Sequence, residues 1–432
     1  MLKVFLGSWA LLLGMMFLMI GNGLQGTLMG VRGGIEGFST FELSLVTSGY
    51  FLGFLGGSRI APGLIRQVGH VRVFAALASF ISAALILYPV VTYSWAWVIL
   101  RVVIGFSFSG VYVTAESWLN NSSSNETRGQ TLSLYMIVQM AGIVIAQGLL
   151  NVADPAGFLL FIIPSVLVSI SFAPILLSVS PTPAFDNTKK MSLRELYTSS
   201  PLGFVGMFLL GSVFSAQFGM SSVYATEVGL SVGEISIFMS SIFVGAMVLQ
   251  YPIGWLSDRI DRRILIMAVA GIGGFACAIG WVFGPNFIVL LVVGSIIGGT
   301  SNPLYSLLIA YTNDYLEPDD MAAASGGLIF VNGLGAIMGP VFLGWAMTSY
   351  GPQAFWVFIM ALMGAVTAYA AYRMTRRQSA YAEEDDYDAV PYAPISMGAT
   401  VVAAEYAQEY YVEAAEEMAS EDEEETTPPV PS

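Results

Sequence analysis

Arg101 interrupts the apolar run SWAWVILRVVIGFSFSG and is the side chain whose presence most needs a reason. A guanidinium in such sequence binds an anionic group, couples to proton movement, or pins neighbouring helices through their backbone carbonyls. At depth in a membrane it costs about 2.5–3.5 kcal/mol on insertion scales, so it must face a cavity or a partner. Glu116 follows in the same run, about 22 Å further along a helix at ~1.5 Å per residue, too far to pair with Arg101. Two readings stand for it: an ion pair with Arg59 or Arg128, or a carboxylate that binds and releases a proton. Glu42 and Glu234 open two other apolar runs. An acid there either complements the free N–H groups of a helix start or gives protons a point of entry. Metal and covalent chemistry are poorly provided. His70 and Cys277 are the only histidine and cysteine, which excludes an internal disulfide, a CxxC site and a His-cluster metal site. There is no GxxxxGK[ST] phosphate loop and no cluster of catalytic residues, so neither enzymatic activity nor a cofactor is expected.

The elements that carry these residues follow from composition. Hydrophobic residues make up 56% of the 432 and mean hydropathy is +0.72. A soluble domain cannot hide that much apolar surface, so the chain reads as an all-α, multi-pass membrane protein. A crossing takes roughly 20 apolar residues. The pattern predicts twelve transmembrane helices, near 4–30, 41–65, 71–93, 95–119, 128–151, 156–178, 202–226, 233–257, 262–283, 286–312, 321–348 and 353–375. In that arrangement Lys3, Arg66, Arg72, Arg128, Lys189, Lys190, Arg194, Arg259, Arg262, Arg263, Arg373, Arg376 and Arg377 share one side, with Arg32 on the other. The positive-inside bias then places both termini in the cytoplasm of a cytoplasmic (inner) membrane. Residues 179–200 are the long polar connection of the interior and are expected to link a six-helix bundle at 1–178 to a second at 201–377. Residues 378–432 hold fifteen acids and no Lys or Arg. They are expected to form a disordered cytoplasmic tail. The net charge of −14 belongs to that tail, because the remainder is close to neutral. It implies nothing about substrate, and nothing points to nucleic acid.

The chain also repeats itself. A shift of 192 sets Glu42 on Glu234, Ser44 on Ser236, Ser48 on Ser240, Gly53 on Gly245 and Gln25 on Gln217; a shift of 193 sets Gly105 on Gly298 and Tyr112 on Tyr305. An apolar chain of two similar halves suits a carrier that rocks one half against the other around a mid-membrane site. The halves differ where chemistry is concentrated: Arg101 faces Gly294 in the alignment, Glu116 faces Ile309, and Arg66 faces Asp258.

Between the eighth and ninth spans the chain reads Gly254-Trp-Leu-Ser-Asp258-Arg259-Ile-Asp261-Arg262-Arg263. This resembles the G-x-L-x-D-R-x-G-R/K-R/K signature of the major facilitator superfamily, with Asp261 in place of the second glycine. Arg101-Val-Val-Ile-Gly105 and Gly335-Ala-Ile-Met-Gly339-Pro340 are similar to two further elements of that family. The runs RVVIGFSFSGVYVTAESWL and QYPIGWLSDR resemble its YcaD-like branch of bacterial inner-membrane carriers. The resemblance covers residues 1–377 and implies a central cavity lined by spans one and seven. Gln25 and Gln217 then become substrate contacts, with Arg101, Asn302 and Asn332 as further cavity groups. It also implies a cytoplasmic gate in which the signature's acid meets a helix start of the opposite half. Here that gives Asp258, with Arg259 beside it, against Arg128. In the first half Arg66 stands where the family has its acid, so the matching latch would be charge-swapped, Arg66 against Asp319 or Asp320.

The expected function is secondary transport of a small solute by alternating access, driven by protons, with a preference for exporting an amphipathic or anionic compound. The expected partners are that solute, protons and membrane lipids, and the expected state is a monomer. The alternative is a non-transporting membrane receptor or scaffold that signals through the acidic tail.

Overall fold

The computed structural model describes residues 2–122, 125–173, 191–284, 286–316, 318–376, 400, 402–404 and 407. Among them there is helix and turn but no strand. The helices are α1 (Leu2–Ile35), α2 (Thr40–Val68), α3 (His70–Leu87), α4 (Ser94–Ser122), α5 (Asn125–Leu149) and α6 (Leu159–Ser171). A short α7 (Leu193–Ser199) precedes α8 (Pro201–Ser215), a π-helical turn (Ala216–Met220) and α9 (Ser221–Glu227), which together make one continuous rod. The set closes with α10 (Val232–Ser257), α11 (Arg262–Phe283), α12 (Phe287–Asn313), α13 (Pro318–Tyr350) and α14 (Ala354–Met374). Nine of these runs are long and apolar enough to cross a membrane. The regions expected as spans two, five and six are helical but fall short of that measure. α2 carries Glu42, Arg59 and Arg66, the apolar part of α5 is Leu134–Leu149, and α6 has 13 residues.

Local sequence explains where helices begin. Ser39 and Glu42 form a reciprocal capping box at α2, as do Ser231 and Glu234 at α10. Each pair satisfies two backbone donors that a helix start leaves free. Asp261 caps α11 and Asn286 caps α12 in the simpler manner.

The repeat fixes how helices cross. A Cβ on Gly105 would lie 1.9 Å from the Tyr50 carbonyl oxygen, and one on Gly53 would lie 2.0 Å from that of Val102. Their repeat partners do the same, Gly298 against Ile242 and Gly245 against Ser295. α2 therefore lies backbone-to-backbone on α4, and α10 on α12, as small residues permit in membrane helices. Buried apolar side chains fall into two clusters. One is drawn from residues 11–168; the other is drawn mainly from residues 196–370. Large side chains such as Phe275, Ile288, Trp281 and Phe80 point outward, the surface a lipid environment accepts.

The two sets of helices meet at the end of the molecule that carries the α1–α2 and α9–α10 turns. Gly30 packs on Ser222, Gly219 on Thr47 and Gly344 on Ser44. The Ser48 hydroxyl donates to the Ile337 carbonyl at 2.8 Å, Ser236 donates to the Gln147 carbonyl, and Thr40 donates to Glu227. The other, basic end carries Arg66, Arg72, Arg259, Arg262 and Arg263.

Candidate functional site

Between the two sets of helices lies a cavity of about 150 Å³, walled chiefly by aromatic and aliphatic side chains. α1, α2, α4 and α5 contribute Asn22, Tyr50, Arg101, Tyr112 and Gln139. The second half contributes Phe214, Phe218, Asn302, Tyr305 and Asn332. Arg101 is 4% exposed. Its guanidinium carbon sits 5.0 Å from the centre of the Tyr50 ring, and its Nε and Nη1 donate to nothing among the described residues. Beside it the Tyr50 hydroxyl donates to Asn22 Oδ1 at 3.4 Å, and Asn22 Nδ2 donates to the Tyr112 hydroxyl at 3.0 Å. The amides across the cavity are engaged: Asn302 Nδ2 donates to Gln250 at 3.0 Å and Asn332 Nδ2 to the Met207 carbonyl at 3.0 Å. The result is an aromatic pocket with one cation holding unused donors. It has the means to bind an anionic group attached to an apolar or aromatic body.

Three of the five expected cavity residues, Arg101, Asn302 and Asn332, line this pocket. Gln25 and Gln217 do not. Both are buried behind its wall, where Gln25 lies against Tyr88 and Gln217 Oε1 accepts from Ser301 at 2.8 Å. The π-helical turn accounts for Gln217: an extra residue in that turn presents Phe218 and Gly219 to the cavity instead. On α1 the cavity face is Asn22, Gly23 and Gly26, one residue out of step with Gln25.

The expected proton carriers separate into two kinds. Glu42 is committed as a cap, with Oε2 accepting from the Ser39 amide at 2.8 Å and Oε1 from Ser94 at 2.7 Å. Glu234 does the same with Ser231. Glu116, 2% exposed, lies deep in α4 toward the basic end. The expected ion pair with Arg59 is not formed, because Arg59 stacks on the Phe330 ring at 3.9 Å. Instead Glu116 accepts from the Tyr135 hydroxyl at 3.2 Å and from Thr400 of the acidic tail, through its amide at 3.3 Å and its hydroxyl. Of the tail expected to be disordered, residues 400, 402–404 and 407 are described, and 402–404 are helical.

At the expected gate, Asp258 lies 3.4 Å from Arg262, which also pairs with Asp314 and donates through Nε to the Ser257 hydroxyl oxygen at 3.1 Å. Asp261 pairs with Arg263 at 2.6 Å, so the residue that replaces the signature's glycine earns its place as a cap and a counter-ion. Arg259 lies over Trp255, and Arg66 donates to the Pro62 carbonyl at 3.4 Å. The side chains of Arg128 and Asp319 lie outside the described residues, so both latches stay as proposals. Asp320 is half-buried at the start of α13.

Sequence reasoning missed Asp314, which the repeat sets against Asn121 and which carries no motif. It also missed Tyr50. Tyr112 and Tyr305 were signalled, since the repeat pairs them and both line the cavity.

The family model described as Major Facilitator Superfamily matches residues 11–231 and 203–400. The uncharacterised MFS-type transporter YfkF of Bacillus subtilis is 26% identical over 333 residues, 74% of this chain and 84% of its own length. YcaD of Escherichia fergusonii, likewise an uncharacterised MFS-type transporter, is 24% identical over 359 residues, 82% of this chain and 92% of its own. Among solved structures, a variant of the nucleoside transporter NupG superposes with a TM-score of 0.69 at 16% identity, covering 85% of this chain and 99% of its own. An all-helical fold with repeated crossings, a cavity between the halves and a family match over most of its length lead to one conclusion. The chain belongs to the major facilitator superfamily, a family of multi-pass membrane transporters rather than enzymes, and is of the YcaD-like type.

Proposed function

We propose that the protein is a monomeric secondary carrier of a cytoplasmic membrane. It has twelve spans with both termini inside, and moves an anionic or amphipathic small solute through the central cavity. Bundles 1–178 and 201–377, joined by the 179–200 linker, would rock about that cavity so that it opens first to one side and then the other. The observation that carries this reading is Arg101: a buried cation with two unused donors, in an aromatic pocket to which both halves contribute. In a membrane such a residue is explained by the charge it meets, and the surrounding rings suit an apolar body. Protons are proposed as the driving ion, with Glu116 rather than Glu42 or Glu234 as the carrier, because the latter two serve as helix caps. Export is the proposed direction.

The test is a thermal-shift screen of anionic and amphipathic metabolites on purified protein, followed by uptake and efflux of hits in proteoliposomes with an imposed proton gradient. Hits should stabilise wild type and leave Arg101→Ala unmoved. If anionic hits stabilise both proteins equally, Arg101 is not their site and the reading fails.

A further inference from the structure

The last described residues of the chain lie within the molecule rather than beside it. Thr400 is 1% exposed, Ala404 0% and Ala407 1%. Residues 402–404 are helical, and the Ala404 amide donates to the Thr400 carbonyl at 3.2 Å. Ala403, Ala404 and Ala407 pack into the apolar cluster of the second half, while Val402 packs against that of the first. The segment therefore touches both halves at once. Its polar anchor is Glu116, which takes the amide and hydroxyl of Thr400 on one oxygen and the Tyr135 hydroxyl on the other. Tyr112, which lines the cavity, sits one helical turn from Glu116 on the same face of α4. The seat of the tail is thus the next compartment from the cavity toward the basic end.

We propose that the described residues of the tail, 400, 402–404 and 407, belong to a tethered plug: an intramolecular ligand of Glu116 that occupies the passage between the central cavity and the basic end. While seated, it bridges the two halves and withholds Glu116 from any other partner. Thr400, Ala403, Ala404 and Ala407, the residues that are buried, are all small, which suits a segment that fills a narrow passage. Charge brings the tether to the right end. The tail holds fifteen acids and no bases, whereas the end it enters carries Arg66, Arg72 and Arg259. The plug closes one side of the cavity while the contacts between α1–α2 and α9–α10 close the other, so the described arrangement is an occluded, self-inhibited one.

The test is hydrogen–deuterium exchange on the full chain in lipid nanodiscs, read by mass spectrometry. Amides of residues 400–407 should exchange at least tenfold more slowly than in a free synthetic peptide of residues 396–410. Deleting residues 378–432 should speed exchange in residues 112–119 and 131–138, and adding that peptide in trans should slow it again. Thr400→Asp sets a like charge against Glu116 from a position outside the helices of both halves. It should release the segment, bringing 400–407 to the free-peptide rate while α10 stays protected. Free-peptide exchange in the wild-type chain would overturn the proposal, as would full protection of the segment in Thr400→Asp. The readout uses no solute, so it stands or falls independently of the transport reading.

Discussion

Replacing Gly105 by alanine puts the close helix crossing to the test. The added Cβ would lie 1.9 Å from the Tyr50 carbonyl oxygen, whereas real Cβ atoms essentially never come within 3.0 Å of such an atom. The obstacle is backbone, so no side chain can swing away and α2 must move off α4 by about 1 Å. A gap of 0.5–1 Å forfeits a quarter to a half of each van der Waals contact it opens. Overpacking of this kind costs about 1–3 kcal/mol or more, and the upper end applies where two long helices part. Alanine returns up to about 1 kcal/mol through helix propensity, leaving a net loss of about 2 kcal/mol. At roughly 2–4 °C per kcal/mol, that lowers the melting temperature by about 4–8 °C. The assay is intrinsic-fluorescence melting of purified protein in detergent. Gly298→Ala should lose a similar amount, since its Cβ would meet the Ile242 carbonyl at 2.0 Å. Gly364→Ala is the control: nothing lies within 4 Å of its Cβ, so it should hold or gain stability. If Gly105→Ala melts at or above wild type, or Gly364→Ala falls as far, the backbone-to-backbone crossing is refuted.

The remaining predictions concern charges and caps. Asp314→Ala removes the buried carboxylate from Arg262, which keeps Asp258 at 3.4 Å, and should cost about 1–3 kcal/mol, while the apolar pair Arg262→Met/Asp314→Leu should recover most of it by the same melting assay. Ser39→Ala and Ser231→Ala should each cost about 1 kcal/mol, equally in the two halves, because each removes one side of a capping box; an effect in only one half would contradict the equivalence. For the charge-swapped latch, Arg66→Asp and Asp320→Arg should each impair proteoliposome transport of a hit from the screen, and the double change should restore it. Absence of rescue would remove that pairing.

How much of this was legible in the sequence depends on what each residue's role requires. Three of the repeated pairs proved to have a job that recurs: Glu42 and Glu234 cap helices, Ser44 and Ser236 sit where the two halves meet, and Gly53 and Gly245 let helices touch; Ser48 and Ser240 do not, the first donating across the halves and the second within its own helix. Such roles follow from local chemistry at a fixed position, so they repeat with the fold. S-x-x-E was readable as a capping signature at both starts. Arg101 was legible because a lone cation in apolar sequence has few destinations. Gln25 and Gln217 were less so, since facing depends on helix phase and a π turn changes that phase without leaving a mark in composition. The partner of Glu116 was invisible for another reason. Thr400 is 284 residues away in a tail beyond the last span, and no periodicity connects the two.

The contacts that close the end opposite the arginines are made by unusually small side chains: Gly30 on Ser222, Gly219 on Thr47, Gly344 on Ser44, with serine hydroxyls reaching backbone carbonyls. Adhesion between protein surfaces comes mainly from apolar area, about 25 cal/mol for each Å² removed from water, and glycine and serine contribute little of it. Each hydroxyl bond broken on parting can be replaced by one to water, so its net worth is small. These small-residue contacts are therefore held by fit more than by stickiness. Opened, they present hydroxyls that water accepts, while Val31 and Leu43, which pack into the second half's apolar cluster, supply the apolar share of the joint. A leucine at Ser44 would turn a reversible joint into either a wedge or a glued one.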